Sequence, residues 1–210
     1  MNGRCLCLFL GVCFMIIVGS VGLSQAATVL GGADLISRGQ IDGAYGIDFI
    51  DLAHRITTDG SVTAWSIYAG GGTAGKQVEL EIYRENGSNY DLVGKSGIVY
   101  GSDAGGIIQY TLSSPINVKQ NDIIGWYYPA SNGWSAVISF DYSGGSVRWT
   151  EPWGGYPEVT GTVSQGYFND GGSRIYSIQV EGTPVPAPAT MLLLGPGLVG
   201  LAAIRRRFKK

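Results

Sequence analysis

The sequence predicts an all-β protein built as a single antiparallel β-sandwich of the jelly-roll type. No stretch between residues 27 and 182 has a helical period, whereas short segments repeatedly alternate apolar and polar residues, as half-buried strands do. Glycine supplies 27 of the 156 residues in this region and is spread through Gly/Asn/Asp/Ser clusters, which predict frequent tight turns. About eight short strands joined by such turns are typical of sandwiches and jelly rolls.

The expected strands follow one another with little chain between them. They fall at 61–70, 76–84, 90–95, 106–112, 122–128, 134–140, 146–149 and 173–182. In the second of these, Val78 and Leu80 belong to one side, while Glu79 and Glu81 alternate onto a side that we expect to face water.

A glycine-rich segment, 70–76, fits the first seven positions of a phosphate-binding loop. Gln77 stands where that loop needs Ser or Thr, and a strand follows instead of a helix. The segment is therefore interpreted as the loop of a β-hairpin.

The amino-terminal residues 1–26 have the organisation of a secretory signal peptide. Arg4 precedes an apolar run from Cys5 to Val18, and small residues lead to a cleavage site between Ala26 and Ala27. All three cysteines lie within this segment, so the mature chain is expected to have no thiol and no disulfide. Export through the inner membrane by the Sec translocon follows from this interpretation.

The charge of the expected domain, residues 27–182, is strongly acidic. It contains eight basic and sixteen acidic residues, a net charge of −8. This balance argues against nucleic acid as a partner, because binding through phosphates needs a basic surface. It suits a soluble exported domain and leaves cation binding open.

The carboxyl terminus has three parts with different physical character. Prolines 184, 186 and 188 alternate within 183–188 and favour an extended strip. Residues 189–204 are almost entirely apolar and as a helix would extend roughly 24 Å, a short transmembrane segment. The tail 205–210 carries five basic residues that would hold this end in the cytoplasm: Arg205, Arg206, Arg207, Lys209 and Lys210.

These three parts, in this order and spacing, resemble the PEP-CTERM sorting signal. The resemblance covers about the last 26 residues, and its core is Val185, Pro186, Ala187 and Pro188, with Ala187 where the family has glutamate. It implies processing by an exosortase, a membrane enzyme of Gram-negative bacteria that make exopolysaccharide. The protein would be anchored transiently and then reach the cell envelope, the cell surface or the extracellular space. The alternative is a carboxyl-terminal anchor that is never cut.

Aromatic residues give the clearest indication of what the domain contacts. Trp149, Trp153 and Tyr156 lie in the Gly/Pro-rich stretch "RWTEPWGGYPE" and are candidates for stacking on the sugar rings of an exopolysaccharide. Packing within the domain is the competing interpretation. For Trp126 and Tyr128, on an expected strand, the interior is favoured.

Chemistry-bearing residues form no clear catalytic or metal-binding motif, and we assign no catalytic residue, metal ligand or cofactor. Glu79 and Glu81 would be roughly 7 Å apart on one strand face, the separation that a glycan-acting hydrolase would need. The single histidine, His54, lies near Asp48 and Asp51 in sequence. Acidic turns at Asp103 and at 169–172 offer too few ligands for a recognised calcium loop. A non-catalytic surface protein is the favoured prediction, with a secreted hydrolase as the alternative.

Overall fold

Strands make up most of the regular structure in the part of the chain that the structure describes. A computed structural model describes residues 27–129, 136–151 and 157–185. These ranges contain strands and a 3₁₀ turn at Gln165–Tyr167 but no α-helix, so the all-β prediction is confirmed. The strands are β1 Thr28–Gly32, β2 Gln40–Ile41, β3 Ile47–Asp51, β4 Gly60–Ala69, β5 Gln77–Asn86, β6 Asn89–Tyr100, β7 Gly106–Val118, β8 Ile123–Tyr128, β9 Ser139–Asp141, β10 Val147–Trp149, β11 Thr162–Ser164, β12 Asn169–Asp170, β13 Ile175–Tyr176 and β14 Ile178–Pro184.

Several sequence expectations concern residues outside these ranges. The signal peptide 1–26, the sorting motif from Pro186 onward, the apolar segment 189–204 and the basic tail lie there, as do Trp153 and Tyr156. Within the part of the chain that the structure describes, no helix has the length and apolarity that a membrane crossing requires.

Three sheets, with all their strand pairs antiparallel, curl into a half-barrel. The four-stranded sheet has the order β1-β14-β4-β7, and the seven-stranded sheet has the order β11-β6-β5-β8-β3-β10-β12. A small sheet, β13-β9-β2, completes the fold. The antiparallel arrangement agrees with the prediction, whereas the sandwich and its jelly-roll connectivity stay predictions.

The main core is formed by residues of both large sheets and of the small one. Apolar residues at alternate positions of β3, β5 and β8 meet those of β4 and β14, because successive side chains of a strand point to opposite faces. Phe49 stacks on Trp126 with ring centroids 5.1 Å apart, and Trp126 and Tyr128 are fully buried. Their predicted place in the interior is confirmed.

The outer face of the seven-stranded sheet is covered by the segments on either side of its edge strand β11; we call residues 157–168, which include β11, the strap. Val159 and Phe168 of the strap are buried against Ile50, Tyr83 and Tyr90 of the sheet. The central strands β3 and β8 are therefore buried on both faces. Because the strap comes from far along the chain, the alternating pattern of each strand alone does not reveal this cover.

The strap overturns one expectation for β5. Glu79 is only 7% exposed and Glu81 is fully buried, so the acidic side of this strand does not face water.

The loop from Gly70 to Lys76 connects strands of different sheets, since β4 belongs to the four-stranded sheet and β5 to the seven-stranded one. The prediction of a hairpin loop is therefore wrong. The N–H groups of Gly72 and Thr73 donate to the carbonyl groups of Asp103 and Ser102. These amides are used in holding the loop to the turn before β7.

Candidate functional site

A pocket at one end of the seven-stranded sheet forms around Trp149. This residue lies on β10 opposite Phe49 of β3, and the two ring centroids are 5.9 Å apart. Gly171 packs against the indole: a Cβ there would lie 2.3 Å from Cε3 and Cζ3. Only glycine leaves room for the ring in this position, so the indole is fixed between β3 and the segment after β12.

The side chain of Arg174 lies over the indole ring of Trp149. Its guanidinium carbon lies 4.5 Å from the ring centroid of Trp149, 4.8 Å from that of Phe140 and 5.6 Å from that of Tyr142. Cations are attracted to the faces of aromatic rings at such distances. The three rings therefore form a cage that holds the guanidinium.

Asp42 is the charge partner of Arg174. Nη1 of Arg174 donates to Oδ1 of Asp42 at 2.8 Å and to the hydroxyl of Tyr176 at 3.3 Å, and this hydroxyl donates to Oδ2 of Asp42. Burial raises the pKa of Asp42, and the hydrogen bond from Tyr176 and the charge of Arg174 oppose that shift. Burial, followed by the Asp42 charge, raises the pKa of Tyr176 well above its usual value, which keeps its hydroxyl a donor.

These residues line a cavity of about 270 Å³. Its walls are Asp42, Gly43, Ala44, Ile47, Phe49, Trp149 and Arg174. Apolar walls with a few convergent polar groups are typical of small-ligand sites. The arrangement has an apolar surface and a charged pair at the same place, which suits a sugar ring.

Only part of this pocket could be predicted from the sequence. Of the three stacking candidates, the structure places Trp149 at the pocket, half-buried, while Trp153 and Tyr156 lie outside the described residues. Asp42 and Arg174 were missed. They are 132 residues apart in the chain, so no local pattern connects them.

A second cluster of charged groups lies beneath the strap. Lys95 of β6 has its Nζ 2.8 Å from Oε1 of Glu81 and 3.4 Å from Oε2 of Glu79, and it also pairs with Glu158 of the strap. Asp48 of β3 is buried beside them and accepts a hydrogen bond of 3.3 Å from the strap amide of Val159. The cluster thus connects strands β3, β5 and β6 of the sheet to the strap.

Two carboxyl groups of this cluster, those of Asp48 and Glu81, have raised pKa values. Burial raises the pKa of Asp48 to about 6. Burial, together with the negative charge of Asp48, raises the pKa of Glu81 well above its usual value. The hydroxyl of Tyr83 donates to Oε2 of Glu81 at 2.6 Å. The buried carboxyl pair therefore retains a proton at mildly acidic pH.

The cluster is filled by its own cation. Carboxylate oxygens of Glu79, Glu81 and Glu158 lie within 4.8 Å of one another, close enough to share a metal ion. The ammonium group of Lys95 lies among them and supplies the positive charge instead. A metal ion would have to displace Lys95.

Asp51 and His54, also considered as candidates, stabilise the turn after β3. Nδ1 of His54 lies 2.9 Å from Oδ2 of Asp51, whose Oδ1 accepts the N–H groups of Ala53 and His54. Asp48 lies on the opposite face of β3 because the side chains of a strand alternate. The structure therefore does not bring these three residues into one constellation.

The two acidic turns considered for calcium use their carboxylates to accept hydrogen bonds from backbone N–H groups. Oδ1 of Asp170 accepts the N–H of Gly172 at 3.1 Å, and Oδ1 of Asp103 accepts the N–H of Ala74 at 3.4 Å. The bond of Asp170 stabilises its own turn, whereas that of Asp103 ties the loop from Gly70 to Lys76 to the turn before β7.

Comparison of the chain with protein-family models, with curated proteins and with solved structures finds no match.

Proposed function

We propose that this chain is an exported, non-catalytic protein of the cell surface or extracellular matrix, sorted by an exosortase, whose jelly-roll-like β domain binds exopolysaccharide. The observation that carries the binding part is the Trp149 pocket. Its apolar walls suit the C–H face of a sugar ring, and the Arg174–Asp42 pair at the same place suits the ring's hydroxyl groups.

A non-catalytic role is supported by the carboxylates that a hydrolase would need. Glycosidases place two carboxyl groups on either side of an accessible bond. Here Glu79 and Glu81 are buried and both are paired with Lys95 beneath the strap. This arrangement favours a binding function over hydrolysis.

Sorting is supported by the position of the motif in the sequence. The last strand, β14, ends at Pro184, and Val185 begins the motif directly after it. A recognition segment that directly follows an ordered strand is held near the domain that it would release.

A pocket-filling variant tests the binding proposal. Ala44 lines the pocket and makes no side-chain hydrogen bond, so Ala44→Phe fills the cavity without removing a polar contact. We expect it to weaken retention on the producing strain's exopolysaccharide by about tenfold or more, because the sugar loses its place. Ala53→Phe, at an exposed turn, is the matched control and should bind like the wild type. Equal retention of the wild type and Ala44→Phe, with unchanged melting curves, would contradict the proposal.

Intact-mass measurement tests the sorting proposal. In a host with an exosortase, the exported protein should begin near Ala27 and lack everything after about Pro188. A mature form that keeps Arg205–Lys210 in that host would leave the uncut anchor as the explanation. Ala187→Glu, which restores the family's core, should be processed at least as fast.

A further inference from the structure

We propose that the Trp149 pocket selects a saccharide that carries a carboxylate, a uronic acid, and that Arg174 is the residue that recognises it. This inference rests on the proposed function, because it concerns the same pocket. It goes further by naming the chemical class of the sugar and the group that distinguishes it from a neutral one.

The first observation is the part of the guanidinium that remains available. Arginine has five N–H donors in a planar fork. Only Nη1 of Arg174 donates to Asp42 and Tyr176, and within residues 27–129, 136–151 and 157–185 Nε and Nη2 donate to no acceptor. The edge formed by Nε and Nη2 matches the two oxygens of a carboxylate.

The second observation is that the guanidinium is held in place before any ligand arrives. The rings of Trp149, Phe140 and Tyr142 surround it, while Asp42 holds the Nη1 end. A group fixed in this way loses little conformational entropy on binding. The Arg174 side chain is still 23% exposed, so a ligand in the cavity reaches it from solvent.

The third observation is that Asp42 does not accept a hydrogen bond from the Nε and Nη2 edge of Arg174. One of its carboxylate oxygens takes Nη1 of Arg174 and the other takes the hydroxyl of Tyr176. A bidentate pair between the two residues would have used the fork internally. The ion pair observed here neutralises the charge of Arg174 without using its paired donors.

The cavity walls would recognise the ring of the sugar, while Arg174 binds its carboxylate. Ala44, Ile47 and Trp149 give apolar walls beside Arg174, in a cavity of about 270 Å³. This is near the lower limit of ligand pockets and suits one sugar ring at a time. A uronic acid presents an apolar ring face and a planar carboxylate on one small residue, which fits walls and fork together.

The net charge of the domain rules out general attraction as the source of a preference for acidic sugars. With eight basic and sixteen acidic residues in 27–182, the domain repels polyanions at long range. Preference for an acidic sugar therefore has to come from directed bonds rather than from general attraction.

Isothermal titration of the mature full chain tests the proposal, with a glucuronate-containing disaccharide and its neutral glucose counterpart as probes. We expect the wild type to bind the acidic probe at least about tenfold more tightly, since a site built for a hydrogen-bonded group rejects the analogue that lacks it. Arg174→Lys keeps the charge but loses the fork, so it should bind both probes alike. Arg55→Lys, which alters another ion-paired arginine, is the matched control and should keep the preference.

The outcomes separate the two proposals. Equal affinity of the wild type for both probes, with both lost in Ala44→Phe, would overturn the inference and leave saccharide binding standing. If the wild type binds neither of the two probes nor the exopolysaccharide, both proposals are overturned. A preference for the acidic probe that survives in a folded Arg174→Lys variant would overturn the assignment to Arg174.

Discussion

Lys95 places its ammonium nitrogen 2.8 Å from Oε1 of Glu81, a carboxylate that is completely buried. The same nitrogen lies 3.4 Å from Glu79 and pairs with Glu158 of the strap. A single cation therefore offsets several carboxylates at the place where the strap lies on the sheet. The charge balance of this cluster depends on Lys95.

Replacing Lys95 by methionine should destabilise the protein strongly. The methionine fills similar space but leaves Glu81 buried without its cation, and removing one member of a buried ion pair costs about 3 kcal/mol or more. Urea unfolding at neutral pH measures the change. Lys119→Met removes an exposed lysine and should change the free energy of unfolding little. Equal stability of the two variants would contradict the assigned role.

The stability of the protein should fall as pH rises from mildly acidic to neutral. The pKa of Asp48 is raised from 3.8 to about 6, so the folded state binds a proton more tightly than the unfolded state does. This stabilisation is complete below the unfolded pKa and is lost as pH rises through 6. We expect the Asp48 contribution to fall by about 1.5 kcal/mol between pH 5 and pH 7.5, measured by urea unfolding.

Asp48→Asn isolates that contribution. Asparagine keeps an acceptor for the N–H of Val159 but does not ionise, so the variant should lose less stability over the same pH range than the wild type. Parallel pH profiles for the two proteins would show that another group causes the dependence.

Gly171→Ala should displace Trp149. The added Cβ would lie 2.3 Å from two atoms of the indole and 2.5 Å from the carbonyl oxygen of Val147. Overpacking of this kind costs about 1–3 kcal/mol. Tryptophan fluorescence and a melting curve should both change, and saccharide binding should weaken with them. Gly161→Ala, where a Cβ meets nothing within 4 Å, is the control and should behave like the wild type.

Asn121 should tolerate glycine but not valine. Its φ of 72° lies in the left-handed region, in the turn that joins β7 to β8. Glycine adopts this conformation without strain, whereas a β-branched residue is expected to lose about 1–2 kcal/mol. Chemical denaturation of Asn121→Gly and Asn121→Val measures the difference. A valine variant as stable as the wild type would show that the turn can change its conformation.

The strands with clear alternation were the part of the fold that sequence could predict. β4, β5 and β8 lie within one or two residues of the expected segments, because their apolar positions recur with the period of a strand. β3 was not predicted. Its sequence, Ile47 to Asp51, contains two aspartates that would ordinarily lie at the surface, and the structure buries both.

The missed features depend on contacts between distant parts of the chain. Glu79 and Glu81 form a polar face by alternation, but in the fold both are buried beside Glu158 of the strap, more than 70 positions later in the chain. Trp149 could be selected because aromatic residues in Gly/Pro-rich stretches are suited to sugars. The ring cage and Asp42 that fix Arg174 could not be selected, since no local pattern joins them.

The position of β14 has a mechanical consequence. It lies between β1 and β4, hydrogen-bonded to both, and the amide of Val185 just beyond it still donates to the carbonyl of Asp59. Tension applied through the chain after Val185 would act along the axis of this interior strand. In antiparallel ladders the hydrogen bonds are perpendicular to the strands, so such tension loads the rows on both sides in shear. Many bonds would have to break together before the strand slides, which makes β14 a firm attachment for whatever holds the domain from that end.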